Sequence, residues 1–215
     1  MSAADSKTSA SIGDRIAGIL LDLMGNIPNS TEVEVSDPAV RARRIAHRAA
    51  QKAALASGGL ALPPGALGWL TVLPELVTVW KLQSQMVADI AGIHGSASVL
   101  SREQMLYCLF RHTAAQAVRD LVVQMGERLL VQQVSVNVLQ KVASRIGLRL
   151  TRHAIGKGIV RWMPVVGAIG VGAYAYYDTL QVAFTAIQLF QREQQMNAQK
   201  RKPQLLLPRP QRQEP

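Results

Sequence analysis

Between Arg128 and Tyr177 the sequence carries no Asp or Glu, while Arg128, Lys141, Arg145, Arg149, Arg152, Lys157 and Arg161 all fall there. From Lys141 onward the intervals are four, four, three, five and four residues, a spacing that lays the cations along one side of a helix. A second series, Arg41, Arg44, Arg48 and Lys52, repeats the pattern upstream. Like charges at this spacing repel and cost an isolated helix a few tenths of a kcal/mol per pair. An anionic partner that binds the stripe offsets that cost. The alternative is two solvated faces, with acids from other helices nearby.

Two long stretches are almost free of charge. Ala53 to Trp80 contains only Glu75, and Met163 to Gln191 contains only Asp178. A simple membrane span needs about 20 apolar residues. The first stretch has that length but is interrupted by Gly58, Gly59, Pro63, Pro64 and Pro74. Buried core is the leading reading, with partial insertion into a bilayer as the alternative. Trp69, Leu73, Trp162, Val165 and Val166 are the candidates for a hydrophobic pocket or a shallow insertion. Trp162 beside Arg161 is an arrangement suited to a headgroup boundary, and equally to core packing near a helix end. Ala168, Gly172 and Ala175 fall at helical spacing with Thr179 and predict a close helix crossing.

The residues for catalysis do not converge. His47, His94, His112 and His153 lack metal-ligand spacing with any second ligand type. Cys108 reads as a small buried apolar group, with His112 one turn along as the only nearby base. GAIGVG has the wrong order for a dinucleotide loop and follows no strand, and Gly156-Lys157-Gly158 lacks the remainder of a phosphate loop. A single cysteine leaves neither a disulfide framework nor a thiolate metal cluster within the chain. No enzyme, cofactor or metal is therefore expected.

The elements that must position these residues are helices. Hydrophobic residues make up 48% of the 215 and charged residues 18%, which excludes a wholly disordered chain. The net charge of +10 favours anionic partners, while 5% aromatic content argues against base stacking, so nucleic acid ranks last among them. Residues 12–24 place Ile12, Ile16, Ile19, Leu20 and Leu23 on one face, and Gly25-Asn26 stops the turn. Ser36-Asp37-Pro38 launches a helix to Gly58-Gly59. Pro74 and Glu75 open another that ends at Gly95, where His94 is placed to cap carbonyls. Ser101 and Gln104 form a capping box for a helix to about Met125. Further helices are predicted over 127–146 and 148–161, with a long last one from Pro164 to about Lys200. The fold class is all-α: a single compact domain of six or seven helices over 11–199. A disordered stretch over 1–10 and a basic, Pro-rich tail over 200–215 flank it. The N-terminus lacks the apolar core of a secretory signal, which predicts a cytoplasmic protein.

The segment ALPPGALGWLTVLPELVTVWKLQSQMVADIAGIHG (61–95) resembles the EcsC family of bacterial proteins, in which an LPxL…W…Q…IAxIYG-like stretch recurs. MPVVGAIGVGAYAYYDT (163–179) resembles that family's PVVGA(I/V)xG element. His94 stands where Tyr is frequent and Asp178 where Asn is common. The resemblance spans most of 38–190 and implies a helical, membrane-associated bacterial protein, with no catalytic residue to carry over. The expected function is non-enzymatic: docking at the inner membrane face on anionic lipid, or binding a lipid-like hydrophobic ligand. The alternatives are an accessory subunit of a membrane complex or a homo-oligomer, and then a nucleic-acid binder.

Overall fold

A computed structural model describes residues 3–59, 68–113, 140–146 and 164–205, with side chains placed over 14–57, 74–113, 140–146 and 170–199. The fold is all-α. Among the described residues there are α1 (Ala3–Gly25), α2 (Pro38–Gly59), α3 (Gly68–Ile93), a 3-10 turn (Ala97–Val99), α4 (Arg102–Phe110) and α5 (Pro164–Leu205). Residues 140–146 are also helical.

The cap chemistry acts as the sequence requires. Asp37 Oδ1 accepts the Ala39 N–H at 3.2 Å, with Pro38 at the first helical position of α2. At the start of α4, the Ser101 hydroxyl accepts the Gln104 N–H at 3.2 Å while Gln104 Oε1 accepts the Ser101 N–H at 2.9 Å. At the end of α3 the Ser96 N–H donates to Ala91 O at 2.8 Å and the Gly95 N–H to Gly92 O at 3.0 Å. Gly95 takes φ 72°, the left-handed conformation this termination needs. His94 Nδ1 donates to Ile90 O at 2.7 Å. That carbonyl accepts only, so Nδ1 carries the proton.

Four boundaries differ from the sequence expectation. α1 begins at Ala3, inside the stretch expected to be disordered, because no Gly or Pro precedes Gly13 and Asp5 complements the helix N-terminus. α3 begins at Gly68 and carries Pro74 inside it. Proline removes one backbone donor and crowds the preceding turn, yet the helix continues on both sides of it. α4 stops at Phe110 instead of running to Met125, and the chain turns over 111–113. α5 continues five residues beyond Lys200, through Pro203.

α2 packs most extensively on α5 and next on α3, which also meets α5. One core cluster joins the elements: Leu20 and Met24 from α1, Ile90 from α3, Phe110 from α4, Ile146, and Phe190 from α5. Trp80 meets Phe110 edge to face at 5.5 Å between centroids. The connection from α1 to α2 lies across α3. Asp89 Oδ1 accepts the Thr31 N–H at 2.7 Å, Gln85 Nε2 donates to Asn29 O at 2.9 Å, and the Val35 N–H donates to Ile93 O at 3.2 Å. Gly92 makes this crossing possible. A Cβ there would meet the Ser30 side chain and come 2.9 Å from the Glu32 carbonyl. Gly92→Ala is expected to destabilise the fold by about 2 kcal/mol, read by denaturant unfolding against wild type.

Glu193 is 4% exposed on α5, and its Oε2 finds no hydrogen-bond partner among the described residues. Burial pushes its carboxyl above the usual range, and a hydrogen bond from Gln104 partly opposes this. Below the ordinary carboxylate range the group is protonated in both folded and unfolded chains and costs nothing. The cost appears as pH rises through that range and is complete above the raised folded value. Glu193→Gln is therefore expected to raise the melting temperature at about pH 7 and to lose that advantage toward about pH 4.

Candidate functional site

Two features of the fold carry chemistry: the outer face of α2 and a cavity at the junction of α2, α3, α4 and α5.

α2 has no acidic residue over its 22 positions. Ala42, Ala46, Ala50, Ala53 and Ser57 are buried, spaced three or four apart along one side. The opposite side exposes Arg44, Arg48, Gln51 and Lys52, with Val40 55% and Leu55 76% exposed among them. Arg41 belongs to a different environment. Its Nε and Nη2 reach the two Glu32 carboxylate oxygens at 2.9 and 2.7 Å, so its charge is matched locally. His47 is exposed and its Nδ1 lies 2.9 Å from the Tyr176 hydroxyl, tying α2 to α5.

The second predicted basic series is seen only at its start. Lys141 and Arg145 are exposed on the 140–146 helix, while Val142, Ala143 and Ile146 are buried. Arg149, Arg152, Lys157, Arg161 and Trp162 lie outside the described residues. Trp69 and Leu73 fall within α3, and Val165, Val166 and Ala168 within α5, but their side chains lie outside the described set. Gly172, Ala175 and Thr179 are buried on α5, and Ala175 packs with Ala53 of α2 and Val79 of α3.

The cavity has a volume of about 160 Å³. Its apolar wall is formed by Leu76, Val79, Trp80, Leu109 and Phe110, and Val171 and Tyr174 stand at its rim, 38% and 64% exposed. Ser57, Glu75, Thr113 and Asp178 supply the polar groups. Asp178 is held on both oxygens: His112 Nε2 lies 2.7 Å from Oδ1 and Gln83 Nε2 donates to Oδ2 at 2.8 Å. Gln83 also donates to the Thr179 hydroxyl at 3.2 Å. Glu75 is different. Burial pushes its carboxyl above the usual range, a hydrogen bond with Ser57 partly opposes the shift, and no cation pairs with it among the described residues.

Sequence reasoning singled out neither Glu75 nor Asp178 as a site, and linked His112 to Cys108. The structure directs His112 to Asp178 instead. Cys108 is fully buried, and burial pushes its thiol well above the usual range, which leaves it unreactive. The usable signal was that Glu75 and Asp178 are the lone charges of the two apolar stretches. Among the described residues no cluster of His, Cys, Asp or Glu could hold a metal ion. Nor, among them, is any helix long and apolar enough to cross a membrane.

No family model, curated protein or solved structure matches this chain.

Proposed function

We propose that the protein is a non-enzymatic, peripheral membrane-binding module that docks on anionic lipid through the outer face of α2. One observation carries this reading: Arg44, Arg48 and Lys52 are exposed on a helix with no acid, in a row that starts beyond an exposed Val40 and ends before an exposed Leu55. A helix of this kind lies in the interface plane, its cations at headgroup phosphates and its aliphatic tips among the upper acyl carbons. Each cation near an anionic surface contributes about 1 kcal/mol. The rigid packing of α2's alanine side on α5 means that little ordering entropy is lost on docking. The resemblance of 61–95 and 163–179 to the EcsC family, which implies a helical, membrane-associated protein, supports the same reading.

A second reading, an accessory subunit or homo-oligomer, draws on another surface. Tyr177 and Phe184 are 61% and 58% exposed on α5 and face outward two turns apart. Such a patch suits a protein partner, and association through it would be insensitive to salt.

Flotation of the full chain with vesicles of phosphatidylcholine alone, or with phosphatidylglycerol added, separates the two. Binding is expected only with the anionic lipid and is expected to fall at high salt. The triple variant Arg44→Gln, Arg48→Gln and Lys52→Gln removes about 3 kcal/mol and is expected to weaken binding about a hundredfold. Equal binding of variant and wild type, or salt-resistant binding to both vesicle types, overturns the α2 account.

A further inference from the structure

We propose that the cavity between α2, α3, α4 and α5 is a binding site for a small organic monocation: an ammonium group on one aromatic ring or short alkyl body, its charge seated at the Glu75 carboxylate. Four observations converge on that class of ligand, and none of them is used by membrane docking.

The first is size. A cavity of about 160 Å³ matches an engineered apolar cavity of about 150 Å³ that admits benzene, so one ring or a chain of similar bulk fills it. The second is the wall. Val79, Trp80 and Phe110 offer aliphatic and aromatic surface, and aromatic rings attract a cation while repelling an anion. The third is the unmatched carboxylate. Glu75 is half-buried beside Ser57 with no cation paired to it among the described residues, so a bound ammonium supplies a counter-charge that those residues do not.

The fourth is Asp178. Both its oxygens are engaged by His112 and Gln83, so it holds its place on the wall without moving to meet a ligand. An anionic ligand would face two carboxylates in a partly desolvated site. A neutral one would gain the apolar contacts and leave Glu75 unpaired. The ammonium form gains both. The Ser57 hydroxyl is placed to accept one ammonium N–H while Glu75 accepts another.

Calorimetric titration of the full chain, in buffer without lipid, with benzylammonium, benzyl alcohol and benzoate tests the assignment. Benzylammonium is expected to bind at least tenfold more tightly than benzyl alcohol, and benzoate not to bind. Glu75→Gln is expected to erase the preference for the ammonium and leave benzyl alcohol unchanged. The substitution keeps the shape of a side chain whose charge burial already disfavours, and circular dichroism checks the fold. A readout on wild type removes dependence on the variant: the Glu75 side-chain carboxyl carbon resonance is expected to shift with benzylammonium and not with benzyl alcohol. Equal affinity for ammonium and alcohol, an unmoved Glu75 resonance at saturation, or no binding of any of the three compounds overturns the proposal. None of these outcomes bears on vesicle binding by α2.

Discussion

The structure depends on one seam of small side chains. Ala42, Ala46, Ala50 and Ala53 on α2 are all buried at three- and four-residue intervals, and Ala175, Thr179, Ala183 and Ala186 do the same on α5. Side chains that end at Cβ or one atom beyond let two helix backbones approach closely, and the gain is dispersion contact along the whole crossing. Larger residues would hold the helices apart. They would also separate both from α3, whose Val79 packs where Ala53 meets Ala175.

Two functional features border that seam. The inner side of α2 is alanine, and Arg44, Arg48 and Lys52 fall on the opposite, exposed face with Leu55 beyond them. The same small residues also fill space poorly where the seam ends. Near Ser57 and Ala175 the neighbouring Leu76, Trp80 and Phe110 do not close the gap, and a cavity remains with Glu75 and Asp178 at its wall. The basic face and the cavity thus lie on opposite sides of the same helix.

Much of the fold was legible because caps and stops are local. Ser36-Asp37-Pro38, Ser101 with Gln104, and Gly95 each fix an end through bonds within five residues, and a reader of the sequence sees both partners at once. Pro74 misled because a proline marks a helix start as readily as an interior position, and here the helix begins six residues before it. The small-residue face on α5 was visible in the sequence, but its partner on α2 was hidden behind the arginines that share the helix. The cavity was harder still. Glu75 and Asp178 belong to separate segments, and only the packing of α3 against α5 brings them to one wall. Each had marked itself as the single charge in an apolar run, a pattern that states a burial problem without stating where it is solved.

The central claim is that packing of α2 on α5 leaves its outer face to meet an anionic surface. Single nitroxide labels at Val40, Gln51 and Leu55, measured for accessibility to a water-soluble relaxation agent, test it most directly. On adding vesicles that contain phosphatidylglycerol, accessibility should fall at all three positions together and recover in high salt. Unchanged accessibility at all three, while the protein floats with the vesicles, would place the membrane contact elsewhere and contradict the account.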